Sequence, residues 1–176
     1  MKKLITFVAA MMLVTAAGCA QKKTTQKKTA GVSVVKIPEN TPNDGLLDAI
    51  KKPYKGKVAV IDFWATWCGP CMAAMKQIDP IKEKYLKDKK KVVFVYVTGE
   101  TSPLDKFNAA IPSIKGYHYR LTNAQYSALL KSLGIKGIPS YLIVNKDGTK
   151  AYDNIAEGGY PGDDIITAEI DKALGK

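Results

Sequence analysis

Asp62-Phe63-Trp64-Ala65-Thr66-Trp67-Cys68-Gly69-Pro70-Cys71 is the stretch on which the reading of this chain turns. Just before it, residues 58–63 are a run of β-branched and aromatic side chains, the pattern of a buried strand. Within it, Pro70 suits the first turn of a helix, because the N–H it lacks would be left unpaired there anyway. Met72, Met75, Ile78 and Tyr85 give that helix an apolar face, and Pro80 is expected to kink it. Cys-x-x-Cys alone is chemically ambiguous. A structural zinc site needs about four ligands, and the chain offers a single histidine, His118. Haem attachment needs a histidine where Met72 stands. Placement argues for redox chemistry. A thiol between a strand and a helix N-terminus meets the positive end of the helix dipole and unpaired backbone N–H groups. Both lower its pKa and make Cys68 the attacking thiolate. Cys71, one turn further on, is within reach to resolve a mixed disulfide.

Working outward, residues 92–98 read as a second strand covered on both faces. Residues 99–121 read as irregular, with a short helix near 104–109. Thr122 then caps a helix whose Tyr126, Leu129, Leu130 and Leu133 fall at i, i+3, i+4 and i+7, and Gly134 ends it. Residues 140–145 and 149–153 form a hairpin around Lys146-Asp147-Gly148, where Asp-Gly is a strong turn signal. A final helix at 163–174 turns Ile165, Ile166, Ile170 and Leu174 inward, and a short helix at 46–51 precedes the first strand. The order βαβ, then α, then ββα predicts an α/β domain with a central mixed β-sheet flanked by helices.

Residues 1–18 read as an export signal: Lys2 and Lys3, an apolar stretch, then small residues. That stretch is shorter than the ~20 residues that span a bilayer. Ala16-Ala17-Gly18-Cys19 resembles a bacterial lipobox, with alanine where leucine is usual, which makes Cys19 a lipidated N-terminus. Residues 19–36 are then the anchor and a flexible Lys/Thr/Gln-rich linker, and 37–176 the folded domain. The net charge of +11 comes almost wholly from lysine. Lys22, Lys23, Lys27 and Lys28 belong to the tether, and the run from Lys82 to Lys91 reads as a solvated helix end. A basic surface for anionic lipid or an acidic partner is the alternative. Nucleic acid is not expected, since no recognition motif accompanies the lysines.

The segment 62–71 resembles the active-site segment of thioredoxin. Leu133-Gly134-Ile135-Lys136-Gly137-Ile138-Pro139-Ser140 resembles that family's second signature, a loop whose cis-proline faces the disulfide. With a lipoprotein leader and an insert after the second strand, the chain is similar to the TlpA/ResA-type envelope thiol–disulfide oxidoreductases. The resemblance implies Cys68 as nucleophile, Cys71 as resolving thiol and Asp62 as the buried carboxylate that relays the second thiol's proton. It implies Trp67, Gly69, Pro70, Ile138 and Pro139 as the substrate-facing surface, with no metal and no cofactor. Two departures stand out. Residues 92–98 lack the lysine that thioredoxin places near its buried aspartate, and Ala74 and Lys76 stand where TlpA/ResA-type proteins often carry a glutamate and a proline. His118 reads as structural or exposed. The expected function is reduction of disulfides in exported envelope proteins, with a membrane DsbD/CcdA-like electron donor and a periplasm-facing location, inner or outer membrane left open. A disulfide oxidase or isomerase, or a non-enzymatic lipoprotein of the same fold, is the alternative.

Overall fold

β2 (Val58–Phe63) and β3 (Val92–Gly99) are buried at every residue, as near-continuous apolar strands in the middle of a sheet should be. They are the centre of a computed structural model that describes residues 30–87 and 91–176. The export signal, Cys19 and the first part of the linker lie outside the described residues. In chain order the elements are β1 (Val32–Val35), α1 (Leu46–Lys51), β2, α2 (Gly69–Lys87), β3, α3 (Leu104–Ala110), β4 (Gly116–Leu121), α4 (Asn123–Leu133), β5 (Ser140–Val144), β6 (Lys150–Asp153) and α5 (Asp163–Leu174). The strands form one mixed sheet in the order β1-β4-β3-β2-β5-β6. The first four are parallel neighbours, and β5 and β6 run antiparallel at the other side.

Alternation along β2 divides the core into two layers. Val58, Val60 and Trp64 pack with Cys71, Met75 and Ile78 of α2 and Ile166 and Ile170 of α5. Ala59, Ile61 and Phe63 pack with Leu46 and Ile50 of α1 and Tyr126 and Leu129 of α4. α4 begins at a full capping box, Thr122 with Gln125, and ends at Gly134, whose φ of 75° satisfies the last carbonyls. The expected mixed sheet flanked by helices is the observed architecture.

The structure corrects four local readings. Residues 99–121 hold the expected short helix, α3, but are otherwise not irregular: they also hold β4, which lies between β3 and β1. Its pattern was hidden because Gly116 and His118 occupy buried positions that an apolar template does not score. β1 falls inside the stretch read as linker. It is a four-residue edge strand paired only to β4, too short to show periodicity. Lys82, read as solvated, is 1% exposed, while Ile165, read as inward, is 46% exposed on the outer face of α5.

Gly116 has φ +147°, and a Cβ there would lie 2.6 Å from the Phe94 carbonyl oxygen and 2.7 Å from the Tyr96 ring. Gly116→Ala should therefore destabilise the domain by more than ~1 kcal/mol, read as a lower denaturant midpoint. An unchanged midpoint would show that β4 can shift away from β3 at no cost.

Candidate active site

Where β2 ends, the chain turns over the edge of the sheet and Cys68 caps α2. Its carbonyl accepts from the Met72 N–H at 3.1 Å, and its Sγ accepts from the Cys71 N–H at 3.2 Å. The first of these is the opening bond of the helix; the second gives an N–H that a helix N-terminus leaves unpaired to a sulfur. Cys68 and Cys71 are joined by a disulfide, with Cα atoms 5.3 Å apart. Cys71 is wholly buried, whereas Cys68 keeps a 4% exposed edge. An incoming partner can therefore reach the first sulfur and not the second. Trp67 stands beside them, 64% exposed, and Gly69 and Pro70 are at the surface.

From 70 residues away, the Ile138 carbonyl oxygen comes within 3.6 Å of the Cys68 Sγ, and the Ile138–Pro139 peptide is cis. That loop is held by its neighbours. The Ser140 hydroxyl donates to Gly137 O at 2.8 Å, and Gly159 N–H donates to Pro139 O at 2.8 Å. Buried Asn154 joins the two segments, accepting from Tyr141 N–H at 2.8 Å and donating to Gly159 O at 2.7 Å. On the other flank, Ser102 braces the turn before Cys68. Its hydroxyl accepts from Thr66 N–H at 3.0 Å, and its carbonyl accepts from the Arg120 guanidinium at 2.9 Å. Sequence reasoning missed Ser102 and Asn154, because a serine before a proline and an asparagine after a strand are ordinary turn residues.

Asp62 alternates to the same side of β2 as Val60 and Trp64, the side that carries Cys71. It is 3% exposed, and neither carboxyl oxygen has a partner at hydrogen-bonding geometry among the described residues. Tyr141 and Tyr96 are its register partners on the two neighbouring strands. Burial pushes its carboxyl up to about 8, opposed by the nearby Tyr141 hydroxyl and the Lys82 ammonium. A carboxyl there exchanges a proton near neutral pH.

Lys82 reaches this region from α2 rather than from a strand. Its Nζ donates to the Tyr96 hydroxyl at 3.2 Å and pairs with Asp79 at 2.6 Å. The expectation of no lysine on β3 stands, but an ammonium still stands close to Asp62, supplied one layer above the sheet. The signal was weak: Lys82 sits in a lysine run, and only its helical phase, seven residues after Met75, points it inward. His118 continues the polar row across the sheet, stacked on Tyr96 at 5.0 Å, with Nε2 2.7 Å from Ile114 O. Burial lowers its pKa to about 4, so the ring is neutral and plays a packing role.

A family model described as thioredoxin-like matches residues 56–149. The chain belongs to the thioredoxin-like family. Thiol-disulfide oxidoreductase ResA of Bacillus thuringiensis subsp. konkukian is 28% identical over 100 residues, 55% of this chain and 54% of that protein, so this chain matches about half the length of that relative. Thioredoxin 2 of Chlorobaculum tepidum is 29% identical over 120 residues, 68% of this chain and 81% of that protein. The same fold occurs in a thiol:disulfide interchange protein from Chlorobium tepidum, with TM-score 0.56 and 22% identity over 71% of this thioredoxin-like chain and 85% of that one. It also occurs in the thioredoxin domain of a Bacteroides vulgatus thiol-disulfide oxidoreductase, with TM-score 0.56 and 19% identity over 69% and 81% of the two chains.

The raised carboxyl sets a sign for pH dependence. Folding favours the protonated Asp62, so that contribution is complete below pH ~4 and is lost as pH rises through about 8. Asp62→Asn should leave the stability of the disulfide form unchanged near pH 3 and raise it by roughly 5 kcal/mol above pH ~9. Equal effects at both ends of the range would deny the buried ionisation. Lys82→Met removes a charge that favours the carboxylate, so Asp62 should titrate above 8, read by carboxyl carbon NMR. A titration that stays in place or moves down would show that the ammonium does not act on Asp62.

Proposed function

We propose that this chain is a thiol–disulfide oxidoreductase that reduces disulfides of exported proteins by cycling Cys68 and Cys71 between dithiol and disulfide. The observation that carries this reading is the Cys68 sulfur at the N-terminus of α2, facing the Ile138 carbonyl of the cis-proline loop. In the dithiol form, the helix terminus favours the Cys68 thiolate. That thiolate attacks a substrate disulfide, forms a mixed disulfide and releases one substrate thiolate. The Cys71 thiol passes its proton to the Asp62 carboxylate. The Cys71 thiolate then attacks the Cys68 Sγ, closes the internal disulfide and releases the second substrate thiolate. The substrate gains two electrons and the protein loses them. Trp67, Gly69, Pro70 and the Ile138–Pro139 backbone form the surface on which an extended substrate segment lies, as one added strand.

The leader-like residues 1–18 and Cys19 support a place in a bacterial envelope, lipid-anchored and facing the periplasm. There a membrane DsbD/CcdA-like protein would return the electrons. The reducing direction rests on Gly69-Pro70, which adds no hydrogen-bond donor to the Cys68 thiolate. Thioredoxin lies at ~−270 mV and the oxidant DsbA at ~−120 mV, a gap of ~7 kcal/mol for two electrons.

Equilibration against glutathione should place the Cys68–Cys71 couple near thioredoxin's potential. A value above about −180 mV would turn the reading towards an oxidase or isomerase. Cys71→Ser should accumulate covalent complexes with substrate proteins and Cys68→Ser none. Trapping by both variants alike would reverse the order of the two thiols.

A further inference from the structure

The parallel strands all start at one end of the molecule and deliver Cys68 at the other. The starting end is lined with lysine. Lys55 and Lys57 lie in the turn that opens β2, Lys91 precedes β3, and Lys146 is in the β5–β6 turn. Backbone hydrogen bonds hold these segments side by side: Val58 N–H donates to Lys91 O at 2.9 Å, and Gly56 N–H to Lys146 O at 2.7 Å. Lys52 and Lys87 extend the set from the ends of α1 and α2. All six are exposed except half-buried Lys57, and among the described residues none pairs with a carboxylate. The acids near this end among the described residues are engaged: Glu83 pairs with Lys115, just before β4, and Asp171 pairs with Lys176 at the end of α5, whose Leu174 carbonyl accepts from Lys146. Asp48 pairs with Lys51 at 3.0 Å, and Asp147 accepts from the Thr149 hydroxyl and N–H at 2.6 and 2.9 Å. The Cys68 end carries mixed charge, with Glu100, Asp105, Asp163 and Asp164 beside α3 and α5 and Lys106 in the groove next to Trp67. Gly31, before β1, lies at the start of β4, where Gly116 N–H donates to Gly31 O at 2.9 Å.

We propose that this lysine-lined base is a docking surface for anionic phospholipid headgroups, holding the domain upright on a bilayer with Cys68 turned away from it. Charge complementarity selects the occupant: the six ammonium groups are spread across one end of the sheet, as a flat anionic surface requires, and the open cleft at this end is walled by Lys52, Lys55 and Lys57 together with Asp48 and Asp147. A bilayer surface attracts each nearby lysine separately, and the contributions sum. The six residues of β2 place Cys68 roughly 20 Å above the base, clear of the headgroups and open to protein substrates. The docking is independent of whether Cys19 is acylated and of the direction of the redox cycle.

The test uses the full chain with Cys19→Ala, so that no acyl chain contributes, and compares its partition onto phosphatidylglycerol/phosphatidylethanolamine vesicles with that onto phosphatidylcholine vesicles. The anionic preference should be strong and should fall with salt. Each lysine counts for about fivefold, so Lys55→Glu, Lys57→Glu, Lys91→Glu and Lys146→Glu together should reduce the preference at least a hundredfold. A loss of less than tenfold overturns the proposal, as does a preference abolished by changing only Lys22, Lys23, Lys27 and Lys28 to Gln. Absence of any anionic preference in the parent overturns it too. Circular dichroism monitors the fold, and should the Glu variant unfold, the same four lysines changed to Gln carry the comparison.

Discussion

A strand buried on both faces has nowhere to put a charge except against other buried groups, and β2 carries Asp62 one residue from its end. Water cannot solvate that carboxyl, and among the described residues no hydrogen-bond donor meets either oxygen at good geometry. Its ionisation is therefore governed by the few polar groups of the same layer: Tyr141 and Tyr96 beside it on the sheet, and Lys82 above. Those groups share one row because the register of β5, β2, β3 and β4 aligns Tyr141, Asp62, Tyr96 and His118. A polar row inside an otherwise apolar layer is destabilising on its own. Its value lies in chemistry, since a carboxyl poised near neutrality can exchange a proton that an exposed aspartate would not hold.

The same burial separates the two sulfurs. β2 must end between helical layers, so the residue after its turn caps α2 and the residue three further on points down into the core. Cys68 thus keeps an exposed edge, and its sulfur receives the Cys71 N–H at the helix terminus. Cys71 lies under the surface, on the side of the sheet that holds Asp62. The difference in exposure between the two sulfurs is a consequence of where a helix starts relative to a central strand.

Sequence alone made legible the elements whose pattern is strong and local: β2 and β3 as apolar runs, α4 from its cap and period, the hairpin from Asp-Gly, and the Cys-x-x-Cys at a strand–helix junction. It hid what tertiary context decides. β4 buries a histidine and a glycine where a template looks for aliphatics, and β1 becomes a strand only because β4 offers it an edge. Lys82 is invisible as a core residue because long basic side chains are solvated almost everywhere else. The placement of Asp62 against Lys82 depends on α2 crossing β3 at Tyr96, and no spacing in the sequence encodes that crossing.

β4 and α3 do more than widen the sheet. Arg120 on β4 donates to the Ser102 carbonyl, and the Ser102 hydroxyl is 2.8 Å from that of Thr98 and accepts from Thr66 N–H. This chain of contacts runs from the added strand, across the end of β3, to the turn that carries Trp67 and Cys68. The groove beside that turn is lined by Thr66, Trp67 and Met72 on one side and by Thr101, Pro103 and Lys106 on the other. One wall thus belongs to the Cys-x-x-Cys region and the other to the segment leading into α3. Bracing by Ser102 holds the two walls in register with each other. A change in the 99–121 segment would therefore alter what can approach Cys68 without altering the sulfur chemistry itself, because it supplies shape and support but no reacting group.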